Sequence, residues 1–345
     1  MNKTVGFVSA YEEITKDNYI FNFPDGGIGD NLYLPFVELK SAWEKIGINV
    51  CTPDTTKLEN IDSFIFMDTP DEENKYFMFA KDNNVPMYLL IEELILHRTE
   101  NMNLSRHAHF RKIFTYQDDM IDSKKYFKLG HPSHRIPDRI PRDITQKRKL
   151  CTVIAGKKTL NHPLELYSKR VEAIRWFEEH HPEEFDLYGI NWNKPRKFQG
   201  DFFKILNRST LIRRLCTKKF PSWRGEIENK RDVLKKYKFS ICYESVKGIH
   251  GYITEKIFDC FFAGCVPVYW GADNITCHVP KECFIDKRDF DTYECLYEYV
   301  VKMTAEQHSG YLTAIETYLK SEKAYPFSID YFVEVLTKEI ADDLL

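Results

Sequence analysis

The stretch CYESVKGIHGYITEKIFDCFFAGCVPVYWG, from Cys242 to Gly271, sets a polar loop between two apolar segments. Before the loop, Phe239, Ile241 and Tyr243 alternate with Ser240 and Cys242, the period of two that marks a strand. After it, Ile253, Ile257, Phe258, Phe261 and Phe262 fall on one face of a helix. Thr254 stands where a cap opens such a helix and Gly264 where a glycine closes it. Glu255 and Lys256 therefore belong to the first turn. Backbone N–H groups there lack partners and the helix dipole is positive, so the position favours an anion such as a phosphate. Lys256 adds a full positive charge. Glu255 would repel a phosphate, but it suits the hydroxyls of a ribose, as an acidic residue does in dinucleotide sites. On local pattern alone the plainer reading, a capped helix with solvated charges, stays open.

Working outward, strand-like and helix-like segments alternate along the chain. TVGFVSAY (4–11), INVCT (48–52), SFIFMD (63–68), PMYLLIEE (86–93) and KIFTYQDD (112–119) read as strands. Between the first two, Leu34, Val37, Leu39 and Trp43 mark a helix that Gly47 would end. A basic, proline-containing stretch over 131–149 reads as a linker. The alternation then restarts with the strand LCTVIAG (150–156) and an amphipathic helix over 163–181, whose face is marked by Leu166, Val171, Ile174, Trp176 and Phe177. FDLYGI (185–190), KKYKFSICYES (235–245) and VPVYWG (266–271) continue the strands, and the chain from 292 onward reads as mostly helical. The fold class is α/β: two Rossmann-like lobes facing a cleft, with ligands expected beyond the carboxyl ends of the strands. The expected division is an N-terminal Rossmann-like lobe over 1–147, a C-terminal Rossmann-like lobe over 148–325 and a helical tail over 326–345.

Composition fits this class. The 345 residues are 43% hydrophobic and 29% charged, with a net charge of −3, so a general nucleic-acid surface is not implied. Nine scattered cysteines with no C-x-x-C pair argue against a disulfide framework or a structural zinc site and for reduced thiols. No run of about 18 apolar residues offers a membrane span, and the apolar run at the N-terminus is too short for a signal peptide. A cytoplasmic location is expected, with peripheral contact at the inner face of the cell membrane left open.

The segment YKFSICYESVKGIHGYITEKIFDCFFAGCVPVYWGADNI closely resembles the signature of the α1,3-fucosyltransferases of glycosyltransferase family 10. Order, spacing and residue type agree over about forty residues. Weaker similarity runs upstream through KRKLCTVIAG, ELYSKRVEAIRWFEE and FDLYG, and on to YLLIEELILHRTENMNLSRHAHFRKIFTYQDD. The resemblance implies a GT-B fold and the transfer of L-fucose from GDP-fucose, with inversion, to a hydroxyl of an oligosaccharide or glycolipid acceptor. An α1,3 linkage to an N-acetylglucosamine or glucose unit, in surface polysaccharide or lipopolysaccharide synthesis, would follow. By position, Arg170 and Lys256 correspond to diphosphate contacts, Glu255 to the ribose contact, and Ser245 and Tyr252 to further donor contacts. Ser245 stands where the family has asparagine, and the loop SVKGIHGY is about one residue longer. Both departures keep another GDP-linked deoxy sugar as an alternative; a non-catalytic nucleotide-sugar-binding protein is a second, against which the intact Glu92, Arg170, Glu255 and Lys256 speak.

The base that the resemblance implies is a glutamate after an apolar N-lobe strand: Glu92, with Glu93 as the fallback. Arg170, Lys256 and the helix terminus together would balance the leaving diphosphate, so no metal and no cofactor are called for. The remaining polar features carry less. DGGIGDN (25–31) lacks the spacing of a nucleotide loop and reads as a tight turn. Asp118–Asp119 reads as a surface turn, since hard cations need several converging oxygens. His107, His109 and His250 are single histidines without a ligand set.

Overall fold

The computed structural model describes residues 3–25, 31–132, 135–194, 209 and 219–344. Two parallel sheets organise them. The N-terminal sheet contains β1 (Lys3–Ser9), β2 (Ile48–Cys51), β3 (Ser63–Met67), β4 (Met87–Ile91), β5 (Lys112–Thr115) and β6 (Tyr126–Lys128), in the order β2-β1-β3-β4-β5-β6. The C-terminal sheet contains β7 (Lys149–Ile154), β8 (Phe185–Tyr188), β9 (Tyr237–Tyr243), β10 (Val266–Trp270) and β11 (Ile285–Asp286), in the order β11-β10-β9-β7-β8. In each sheet the chain lays its second strand on one side of the first and returns to build on the other. The strand order therefore reverses between β1 and β3, and again between β7 and β9. Such switch points leave a crevice at the carboxyl ends of the strands, where ligands bind in open α/β sheets.

The period-two pattern in β9 does not divide a wet face from a dry one. Ser240 and Cys242 are as buried as Phe239, Ile241 and Tyr243, because helices cover both faces of a parallel sheet. The helix Leu34–Glu44 buries Pro35, Phe36, Leu39 and Trp43, while Leu34 and Val37 of the expected face are only half-buried. The helix Tyr167–His180 buries Tyr167, Arg170, Ala173, Ile174 and Phe177, turning its stripe away from the expected Val171 and Trp176. Helix Glu255–Phe262 ends where expected: Gly264 adopts φ +60°, and a Cβ there would lie 1.8 Å from the Pro141 carbonyl oxygen. Only glycine fits that approach.

The tail does more than extend the C-lobe. Helix Ile329–Leu336 packs on the N-lobe helix Leu34–Glu44, with the Phe332 and Phe36 rings edge to face at 5.4 Å. Trp43 Nε1 donates to Thr337 Oγ1 at 2.8 Å, and Lys112 pairs with Glu339 and Asp343. Phe332, Leu336 and Ile340 thereby join the N-lobe core. Full burial of one such side chain contributes roughly 1.5–3 kcal/mol, so the last helix ties the two lobes together.

Candidate active site

A cavity of about 340 Å³ opens at the switch point of the C-terminal sheet. Ile154 at the end of β7, Gly189 just after β8 and Tyr243 at the end of β9 form its floor, and the first turn of helix Glu255–Phe262 forms one wall. Arg170, Ser245, Glu255 and Lys256 all line it. A larger open depression of about 1100 Å³ lies elsewhere on the C-lobe, lined by Phe290, Tyr299 and Tyr311 among others, and includes none of these four residues. The smaller cavity has the convergent charges that a binding site needs.

Arg170 reaches the cavity from within the core. It sits three residues after Tyr167 and four before Ile174, on the buried stripe of its helix, and is 5% exposed. Its Nε and Nη2 donate to the Tyr243 carbonyl at 3.1 and 2.7 Å, and the guanidinium lies 5.1 Å from the Tyr167 ring centroid. Burial pulls its pKa down, opposed first by Glu244.

Glu244 is the residue that sequence reasoning quoted and left without a role. It follows β9 directly and is fully buried. Its two oxygens accept from the Thr254 backbone N–H and the Thr254 hydroxyl, each at 2.8 Å. Thr254 is thus the N-cap by position, but its side chain makes no capping bond: the hydroxyl donates to Glu244, and its oxygen accepts from Lys256 Nζ rather than from a backbone N–H. Lys256 Nζ donates to Thr254 Oγ1 at 2.7 Å and stands 3.3 Å from Glu244 Oε2 and 3.6 Å from Glu255 Oε1. Burial works against the Lys256 charge, but Glu244 and Glu255 outweigh it and hold the ammonium above the ordinary lysine range. Burial likewise opposes ionisation of Glu255, yet Lys256, Lys230 and His131 keep its carboxyl well below the usual range. An acidic residue closing an apolar strand was the signal for Glu244.

Across the cleft, Glu92 and Glu93 follow β4. Their backbone N–H groups both donate to Asp68 Oδ1, at 3.0 and 2.9 Å. Asp68 follows β3, is 2% exposed and holds a left-handed backbone with φ +65°. Asn101 Nδ2 also donates to it, and burial pushes its carboxyl up to about 6. The two glutamates then diverge. Glu93 accepts from the Tyr11 hydroxyl at 2.9 Å and from Leu94 N–H, and meets His97 Nδ1 at 3.0 Å. Among the described residues, Glu92 has one side-chain partner, His131 Nδ1 at 3.3 Å. Glu93 is committed to structure, and Glu92 is the freer carboxylate.

Tyr252 stands outside the cavity lining. It is 6% exposed, and its ring packs 5.2 Å from Tyr116 and 5.7 Å from His131, joining the C-lobe loop to the N-lobe. Gly251 makes that approach feasible: with φ +78°, a Cβ there would meet the Tyr116 carbonyl oxygen at 2.2 Å. Asp118 is more than a surface turn. It pairs with Lys128 of its own lobe at 2.6 Å and accepts from Asn274 Nδ2 and His278 Nε2 of the other, each at 2.7 Å. Asp119 meets His250 at 2.9 Å. Among the described residues no cluster of three or more His, Cys, Asp or Glu side chains could hold a metal ion. Among the described residues no helix is long and apolar enough to cross a membrane. His107 is buried against the Tyr126 hydroxyl, and His109 packs on Phe77. The turn over 25–31 lies mostly outside the described residues.

Comparison with known proteins places this geometry. The family model described as glycosyltransferase family 10 (fucosyltransferase), C-terminal, matches residues 146–325, which hold every residue lining the cavity. The chain is 34% identical over 74 residues to the α-(1,3)-fucosyltransferase FucT of Helicobacter pylori and 36% identical over 67 residues to an α-(1,4)-fucosyltransferase of Arabidopsis thaliana. These alignments cover 21% and 19% of this chain but only 15% and 16% of the two relatives. A crystal structure of an α1,3-fucosyltransferase aligns over 97% of this chain and 89% of its own, with a TM-score of 0.52 at 14% identity. An α-glucosyltransferase in complex with UDP and a DNA 13-mer aligns over 98% and 99%, with a TM-score of 0.57 at 12% identity. At such identities the structures show the fold alone, which is GT-B. The match to the family model covers more than half of the chain, which belongs to glycosyltransferase family 10.

Proposed function

We propose that this protein transfers L-fucose from GDP-fucose to a hydroxyl of an acceptor glycan, with inversion at the anomeric carbon. The observation that carries the proposal is the cavity at the β7/β9 switch point, where Arg170, Glu255 and Lys256 converge on one helix terminus. The diphosphate occupies the wall formed by Lys256 and Arg170, and Glu255 accepts hydrogen bonds from the ribose. The relatives' names supply the sugar: two are fucosyltransferases, and one solved neighbour is an α1,3-fucosyltransferase with GDP-fucose.

The reaction is a single displacement. The acceptor oxygen forms a bond to the anomeric carbon as the bond from that carbon to the β-phosphate oxygen breaks, through an oxocarbenium-like state. Glu92 takes the acceptor proton. The negative charge that grows on the departing GDP meets Lys256, Arg170 and the helix N–H groups, which are already in place before reaction. These cations can neutralise the leaving group within the chain's own residues. An oligosaccharide or glycolipid acceptor enters from the N-lobe side; the α1,3 linkage follows the name of the Helicobacter pylori relative, and surface polysaccharide or lipopolysaccharide is the product class that this reading adds to it. Such a product is made at the cytoplasmic face of a membrane, in peripheral contact with it.

The full chain incubated with GDP-fucose and glycans ending in N-acetyllactosamine tests this reading. Proton NMR should show a new α-fucosyl anomeric signal. Release of GDP with no glycosylated product across a broad acceptor panel, or turnover with UDP-sugars alone, would contradict it. Ser245 lines the donor cavity where the family has asparagine, which favours a second reading, another GDP-linked deoxy sugar. Competition between GDP-fucose and such donors decides between the two.

A further inference from the structure

His131 opens the segment between the lobes, and nothing in the sequence assigns it a role. In the structure its ring lies between the base and the donor lobe. Nδ1 faces Glu92 Oε2 at 3.3 Å, and both side chains are largely shielded, 18% and 21% exposed. The ring stacks on Tyr116 at 5.2 Å and 26°, and meets the edge of Tyr252 at 5.7 Å. Its other nitrogen, Nε2, is buried and finds no hydrogen-bond partner among the described residues. Among the described residues, Glu92 is thus the polar side chain that meets the imidazole, and the imidazole is the side chain that meets the Glu92 carboxylate.

We propose that His131 is a positioning residue for catalysis: its Nδ1–H donates to Glu92 and fixes the carboxylate toward the cleft, where it can accept a proton. This rests on the reading of Glu92 as the base. The groups that face His131 are Glu92 from the end of β4, the Tyr116 and Tyr252 phenols, and the charges of Glu255 and Glu244 from the C-lobe. Burial pushes both phenols up, so they stay neutral. Burial also disfavours the imidazolium, but the Glu92 bond and the three carboxylates outweigh it and raise the His131 pKa above 6.5. The pair thus couples the N-lobe base to the charge state of the donor site.

The test is NMR titration of the histidine ring signals in the full chain, alongside the pH dependence of kcat at saturating GDP-fucose. His131 should titrate above the ordinary histidine value in the wild type and fall toward that value in Glu92→Gln. His131→Asn keeps an N–H donor and removes the charge. It should change the pH profile of kcat, with the KM for GDP-fucose unchanged. An unshifted His131 titration in Glu92→Gln would overturn the pairing. A His131→Asn pH profile superimposable on wild type would reduce His131 to packing and overturn the role. Full turnover in Glu92→Gln would remove the base itself, a separate failure read from a different variant.

Discussion

Two strands of the molecule end alike and are used differently. β4 closes on Ile91 followed by Glu92, and β9 closes on Tyr243 followed by Glu244. Glu244 is fully buried, with both oxygens held by Thr254 and Lys256 alongside. Glu92 is 21% exposed at its side chain and, among the described residues, meets only His131. The same residue at the carboxyl end of a parallel strand thus becomes an anchor in one lobe and a more available carboxylate, the proposed base, in the other. The cause is what lies above the strand end. A helix terminus closes over Glu244, whereas Glu92 opens onto the cleft between the lobes.

The contrast can be broken at each end. Glu92→Gln should lower kcat by about 10²–10⁴-fold, leaving GDP affinity and thermal unfolding close to wild type. Steady-state kinetics with calorimetry checks both halves, and a large loss of stability would make Glu92 another anchor. Glu244→Ala should do the reverse. It leaves Lys256 and Thr254 without their buried partner, so unfolding in urea should show a loss of about 3–5 kcal/mol. A stable Glu244→Ala protein would remove the distinction between the two carboxylates.

Smaller effects sharpen it. Lys256→Ala should weaken GDP binding by about 10–100-fold, the size of one charge-assisted contact of roughly 1.5–3 kcal/mol. Asp118→Asn should cost about 1–2 kcal/mol of stability by loosening the contact between the lobes. The Asp118 carboxyl is buried, which alone would raise its pKa, but bonds to His278 and Lys128 hold it well below the usual range. A carboxyl depressed in the folded state stabilises above its unfolded pKa of about 3.9 and loses that contribution as the pH falls further. Wild-type and Asp118→Asn unfolding curves should therefore converge below about pH 4, and parallel curves would show that Asp118 contributes no such linkage.

The C-lobe half of the site was legible in the sequence because it is nearly continuous. Ser245, Glu255 and Lys256 lie within twelve residues, on the loop and the helix that follow a strand, and the periods of strand and helix are plain. Arg170 was readable only through the family resemblance, since pattern alone reads a helical arginine as a surface residue; the structure puts it on the buried Tyr167–Ile174–Phe177 stripe. The N-lobe half resisted because it is assembled from separate strand ends. Asp68, Glu92, Tyr116 and His131 come from four segments, and only the sheet order brings them together. No period announces that a histidine in a linker will face a glutamate 39 positions earlier. The return of the last helix to the N-lobe was hidden for the same reason: its apolar face shows that it packs, not on what.

The central claim is that the C-lobe cavity grips a guanosine diphosphate through Lys256 and Arg170. Isothermal titration of GDP and UDP into the full chain, its Lys256→Ala variant and its Arg170→Lys variant tests it most directly. The account predicts that GDP binds the wild type, that UDP binds at least about tenfold more weakly (~1.4 kcal/mol), and that both variants lose GDP affinity. UDP binding as tight as GDP, or variants with wild-type GDP affinity, would contradict it.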